Sequence, residues 1–176
     1  MSLIVANAGV PMLFWQLPFM AVALVPIVLI EWVVVNRLIC EKSGHVFWSV
    51  GLANAVSTFI GIPLAWGAML ALNIATTGTG SRGLDTPMQV FQSVVLQASW
   101  LVPYEDDLYW MIPTATLVLL VPYFLVSVFA ERWVLRLMMR NVDRLIIRKA
   151  AWRMNAVTYG MFVLGTGIGL WRALAG

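Results

Sequence analysis

Residues 1–30 contain no Asp, Glu, Lys or Arg, nor do 43–81 (with His45 taken as neutral), 108–130 and 154–171. A helix needs about 20 apolar residues to cross about 30 Å of hydrocarbon. Each stretch supplies one crossing, and none is long enough for two with a turn between. The pattern predicts membrane helices over about 13–38, 46–72, 109–138 and 153–172. The first stretch lacks the basic segment and small-residue cleavage site of a secretory leader, and its apolar run continues to Val35. It reads as a retained span behind a short non-polar N-terminus. The expected fold is an all-α integral membrane protein forming one membrane domain over 1–176.

Composition narrows the class further. Hydrophobic residues make up 61% of the 176 positions and charged residues 11%, against roughly 45–50% and 25% for a soluble domain. A soluble fold of this size still leaves about a third of its chain surface wet and has nowhere to hide so much apolar area. A soluble enzyme, a nucleic-acid-binding module and a disordered chain are therefore excluded.

The charges set an orientation. Arg37 and Lys42 follow the first stretch, and Arg132, Arg136, Arg140, Arg144, Arg148, Lys149 and Arg153 follow the third. Only Arg82 and Arg172 fall on the other side, where Asp85, Glu105, Asp106 and Asp107 also lie. The positive-inside rule makes both basic connections cytoplasmic. The expected topology is two out–in–out hairpins in a cell inner membrane, with both termini outside and a cytoplasmic basic segment over 132–153. Trp15, Trp100, Tyr104, Tyr109 and Trp110 would then mark the outer rim, and Phe47, Trp48, Trp133 and Trp152 the inner one.

The outer loop, 73–108, begins with the flexible run "TTGTGSRG". Asp85-Thr86-Pro87 followed by Gln89 has the form of a capping box with proline at the first helical position. It predicts a short interfacial helix over about 87–101, with an apolar face that includes Phe91, Val94, Val95 and Trp100.

The two halves of the chain resemble each other at a spacing near 100. "EWVVVNRL" from Glu31 matches "ERWVLRLM" from Glu131, and "NAVST" from Asn54 matches "NAVTY" from Asn155. The Glu-to-Asn separation is 23 residues in one half and 24 in the other. The expectation is a parallel internal repeat about an axis along the membrane normal. Small residues at Ala53, Ser57, Gly61 and Ala65, and at Gly165 and Gly169, recur every fourth position. Such stripes allow close backbone approach, which drives helix packing in lipid.

Glu31 and Glu131 carry the most chemistry, because an acid within a span is costly and marks a functional candidate. Counted at 1.5 Å per residue, Glu31 lies about 24 Å from Trp15 and Glu131 about 31 Å from Trp110. These depths put the first in the inner third of the bilayer and the second at the inner interface. The preferred reading is a pair of structural ion pairs with Lys42, Arg136 or Arg153, and the rival is proton or cation coupling. Asn54, Ser57, Thr58, Asn155 and Thr158 read as interhelical hydrogen-bonding contacts. Arg136, Arg140, Arg144 and Arg148 form a stripe one helix face wide, suited to anionic headgroups or an acidic partner.

One cysteine, Cys40, and one histidine, His45, leave no thiol pair, no bis-histidine haem site and too few ligands for a closed zinc site. No catalytic motif such as HExxH, GxSxG, a Walker loop or CxxC is present. No metal, no cofactor and no catalysis are expected. The expected partners are the bilayer with its anionic headgroups and other membrane subunits or a second copy, not nucleic acid. The sequence favours a non-catalytic accessory or structural subunit of a larger membrane complex or homo-oligomer. A small transporter or channel working through Glu31 and Glu131 is the alternative.

Overall fold

The computed structural model describes residues 9–77, 83–102, 104 and 106–175. Arg82 and Glu105, which entered the charge map, lie outside the described residues, as does part of the "TTGTGSRG" run. The chain is all-helical apart from one short strand pair. Helix α1 covers Met12–Asn36 and α2 covers Ser43–Val56. A π-helical turn, Ser57–Gly61, joins α2 without a break to α3, Ile62–Thr77. Helix α4 is short, Pro87–Phe91, and runs into a second π-turn, Gln92–Leu96. The last two helices are long: α5 is Leu108–Met138 and α6 is Arg144–Ala175. Three helical segments, Met12–Asn36, Ser43–Thr76 and Leu108–Met138, are long and apolar enough to cross a membrane.

The π-turn has a local cause. Pro63 has no N–H to give to the carbonyl of Phe59, and its ring crowds that carbonyl, so the ladder cannot keep its i→i−4 pattern there. The Ile62 N–H reaches back to Ser57 O instead, a separation of five. This widened turn lies midway along the continuous helix, and Ser57 at its start faces the interior.

Helix α6 begins nine residues before the expected 153. Asp143 Oδ1 accepts from the Leu145 N–H at 2.6 Å, an N-terminal cap that starts the helix among charged residues. Hydropathy marks where lipid can touch the chain, not where the backbone coils. The same break removes the expected basic stripe. Arg136 belongs to α5, Arg140 to the turn at 139–143, and Arg144 and Arg148 to α6, so the four do not share one helix face. All four are exposed, and Arg140 caps α5 by donating from Nε to Leu137 O at 3.3 Å.

The expected helix over 87–101 is also shorter than predicted. The capping box at Thr86 and Gln89 forms, each side chain bonding the other's backbone N–H, but regular helix ends at Phe91. The chain then turns and pairs Trp100–Leu101 (β2) antiparallel with Val10–Pro11 (β1). Val94, Ala98 and Leu101 are buried. Trp66 Nε1 donates to Ser99 O at 2.8 Å, and the Met12 N–H donates to the same carbonyl at 3.2 Å. The segment is thus fastened over the ends of α1 and α3. Gly9, at φ 73°, abuts it so closely that a Cβ would lie 2.4 Å from Trp100 Nε1, a place where only glycine fits.

Two apolar cores stack along the helices. One gathers Met12, Met20, Ile62, Met111, Leu119 and Tyr123; the other gathers Val35, Ile39, Val46, Val50, Leu135 and Met154. A polar layer separates them.

Candidate functional site: a crossed pair of buried carboxyl groups

The polar layer is built by Glu31, Glu131, Asn54, Ser57, Asn155 and Thr158, all buried. Asn54 Nδ2 donates to Glu31 Oε2 at 2.6 Å, and Thr158 Oγ1 donates to Glu31 Oε1 at 2.7 Å. Ser57 Oγ donates to Glu131 Oε1 at 2.6 Å, and Asn155 Nδ2 donates to Glu131 Oε2. Every carboxyl oxygen therefore has a donor. Each glutamate takes one bond from its own half of the chain and one from the other, so four bonds tie α1, α2, the π-turn, α5 and α6 together.

The helical register explains the arrangement. Asn54 and Ser57 are three apart, as are Asn155 and Thr158, so each amide–hydroxyl pair occupies one helix face. The two asparagines are steadied by second bonds from Nδ2 to their own helices, at Val50 O (3.1 Å) and Ala151 O (3.0 Å).

The ion-pair expectation is corrected here. All four donors to the carboxyl groups are neutral, and Lys42, Arg136 and Arg153 are not among them. Those basic side chains are exposed, and Arg136 and Arg153 are neighbours in sequence of Leu135 and Met154, which belong to the second apolar core. The two acids also lie close together. Counting along separate helices put the two acids at different levels, whereas both line one cavity of about 10 Å³, together with Thr58, Ser127 and Tyr159.

The hydroxyls of Ser57 and Thr158 can work in two directions. Ser57 Oγ also lies 3.1 Å from Asn54 O, and Thr158 Oγ1 lies 3.2 Å from Met154 O and 3.3 Å from Asn155 O. A hydroxyl has one proton and two lone pairs. It can donate to the carboxylate, or donate to its own helix and accept from a protonated carboxyl. The site stays hydrogen-bonded with or without a proton on either acid.

Several neighbours were not singled out from the sequence. Ser127, one turn before Glu131, shares a 2.9 Å hydrogen bond with the Tyr159 hydroxyl. Its i−4 spacing from the acid and the place of Tyr159 in "NAVTY" were the available signals. Gln16 donates from Nε2 to Thr116 Oγ1 at 3.1 Å. A glutamine inside an uncharged span was itself the clue.

The packing residues divide. Ala53 and Ala65 are buried, and at Gly61 an added Cβ would stand 3.0 Å from Val126 Cγ1 on α5, so that glycine sets a close helix approach. Gly165 and Gly169 are exposed with nothing within 4 Å of an added Cβ; the expected close packing at these two does not occur within the chain. Cys40 is exposed and unbridged. Among the described residues no group of three or more His, Cys, Asp or Glu side chains is placed to hold a metal ion. No family model, curated protein or solved structure matches this chain.

Proposed function

We propose that this chain is a four-span, non-catalytic membrane protein that exchanges protons at the Glu31–Glu131 pair, as a small transporter or channel. The observation that carries the reading is the pair itself: two carboxyl groups in one lipid-shielded interior, held only by neutral donors. Burying charge without a counter-ion is costly in hydrocarbon, so such residues mark pathways and relays. The cavity favours a proton over a metal cation. At about 10 Å³ it is at the lower limit for one water, so a hydrated ion does not fit, whereas a proton needs no room. The π-turn at Ser57 adds support, because such bulges recur at functional sites.

In this reading α6 is the fourth crossing, and the connection 37–42 and the basic segment 132–153 face the cytoplasm by their Lys and Arg content. Both termini then lie outside, in an inner membrane whose anionic headgroups meet the exposed arginines. The crossed bonds around Glu31 and Glu131 belong to an internal repeat of the two halves.

Proteoliposomes with an entrapped pH dye test the proposal. Wild-type protein is expected to dissipate an imposed pH gradient, and Glu31→Gln and Glu131→Gln to lose most of that flux while remaining folded. Vesicles no leakier than protein-free controls would overturn it, and flux of sodium or potassium without protons would replace the proton with a cation.

A second reading has its own observation. The face of α6 bearing Gly165 and Gly169 is open, and small residues at fourfold spacing suit a helix partner. An accessory subunit or homo-oligomer would use it. Native mass measurement after gentle extraction tests this: a stable partner chain or second copy supports it, and a monomer at all concentrations removes it.

A further inference from the structure

A second cavity, of about 50 Å³, lies next to the carboxyl pair. It is lined by Gln16, Met20, Thr116, Tyr123 and Phe162, among others. Met20 and Phe162 also line the cavity that holds Glu31 and Glu131, so these two side chains stand between the two spaces. Two buried polar atoms of residues that line it, Gln16 Oε1 and the Tyr123 hydroxyl, have no hydrogen-bond partner in the protein. Both residues are more than nine-tenths buried. Buried polar groups are almost always satisfied, by protein or by ordered water. A cavity needs about 10–15 Å³ per water and two to four polar partners for each. This one has room for about three waters, and Thr116 supplies a further polar atom.

The other end of the bundle is different in kind. Below the carboxyl layer Val35, Val46, Val50, Leu135, Met139 and Met154 pack with 2% exposure or less.

We propose that the 50 Å³ cavity is a water-filled antechamber through which the Glu31–Glu131 pair is reached from the Gln16 end alone, with Met20 and Phe162 as the divide. The antechamber's role in proton access rests on the exchange reading above, but its hydration does not. Waters held between Gln16 Oε1, Thr116 Oγ1 and the Tyr123 hydroxyl bring protons to the divide. Movement of the flexible Met20 and rotation of Phe162 join that water to the carboxyl layer. The apolar core beneath prevents leakage to the basic end in this conformation.

X-ray radiolytic oxidation of the unmodified protein in nanodiscs tests the proposal, because hydroxyl radicals made from bound water attack the side chains beside it. Met20 is expected to oxidise about fivefold faster or more than Met111 and Met154, which sit in dry core; Tyr123 is expected to exceed Tyr159 similarly. Rates for Met20 and Tyr123 no higher than those controls would overturn the antechamber. Oxidation of Met139 as fast as that of Met20 would overturn entry from one end. Phe162→Ala is expected to raise Tyr159 oxidation about threefold by joining the two cavities, and an unchanged rate would remove Phe162 as the divide. Phe162→Leu gives the same readout in a more conservative variant if the alanine protein does not fold. A wet antechamber without proton flux overturns the proposed function alone, and flux across a dry one overturns this inference alone.

Discussion

Thr158 Oγ1 lies 2.7 Å from Glu31 Oε1, although 127 positions separate the two residues. Its counterpart is the 2.6 Å contact of Ser57 with Glu131 across 74 positions. Exchanging Glu31 with Glu131, Asn54 with Asn155 and Ser57 with Thr158 carries one set of bonds onto the other. Each acid is therefore a tie between halves as well as a candidate proton carrier, and variants can separate the two roles.

Glu31→Gln tests that separation. The new amide can accept from Asn54 through its oxygen and donate its N–H to Thr158 Oγ1, while the hydroxyl turns its proton to Met154 O, 3.2 Å away. Both ends of the amide keep a partner, although its second N–H has none, so the expected stability change is within about 1–3 kcal/mol while proton flux is lost. Denaturation in mixed micelles alongside the liposome assay measures both. A variant that unfolds would mean that the site does not tolerate the amide as drawn.

Thr158→Val removes the acceptor as well as the donor. Alone it is expected to cost about 0.6–1.7 kcal/mol, the range for a hydrogen bond between membrane helices. Combined with Glu31→Gln it leaves a buried amide N–H without a partner, at a cost of about 1–3 kcal/mol. The double variant should thus be less stable than the two single changes added together. Simple additivity in a double-mutant cycle would show that Thr158 does not act through Glu31.

The residues of this site were legible in the sequence, but their pairing was not. Two acids at the ends of uncharged stretches, and two short segments spaced alike behind them, pointed to Glu31, Glu131, Asn54, Asn155, Ser57 and Thr158. Spacing along one helix cannot say which helix lies opposite, so the exchange of Ser57 and Thr158 between halves was hidden. The same limit produced the ion-pair expectation, since Lys42, Arg136 and Arg153 are near the acids in sequence but are exposed, whereas both carboxyl groups are buried. Isolated polar residues such as Gln16 and Tyr123 have no period to betray them. The three apolar helices, by contrast, follow directly from runs without charge, because lipid admits little else.

Gly61 and Gly165 look alike in sequence and should respond oppositely. Gly61→Val drives a branched side chain into Val126 Cγ1, which already stands 3.0 Å from where a Cβ would be. Overpacking of this kind costs about 1–3 kcal/mol, and Val126→Ala should recover part of it. Gly165→Ala meets open space and replaces the poorest non-proline helix former, so it is expected to be neutral or stabilising by up to about 1 kcal/mol. Should Gly165→Ala instead dissociate an oligomer in native mass spectra, the open face of α6 is an interface.

Trp66 fastens the segment 92–101 to the bundle through one bond, from Nε1 to Ser99 O at 2.8 Å. Its ring also lies 6.4 Å from that of Trp100. Trp66→Phe keeps an aromatic ring but deletes the donor. The Ser99 carbonyl still accepts from the Met12 N–H, so the loss should stay near about 1 kcal/mol and fall on the segment rather than on the bundle. Amide hydrogen exchange is the measurement. Residues 92–101 should exchange several-fold faster, in keeping with about 1 kcal/mol of local opening, while the amides of Ala53 and Ala151 in the helix core keep their rates. Uniform acceleration through α2 and α6 would mean that the segment is part of the bundle's cooperative fold and not a separately fastened cap.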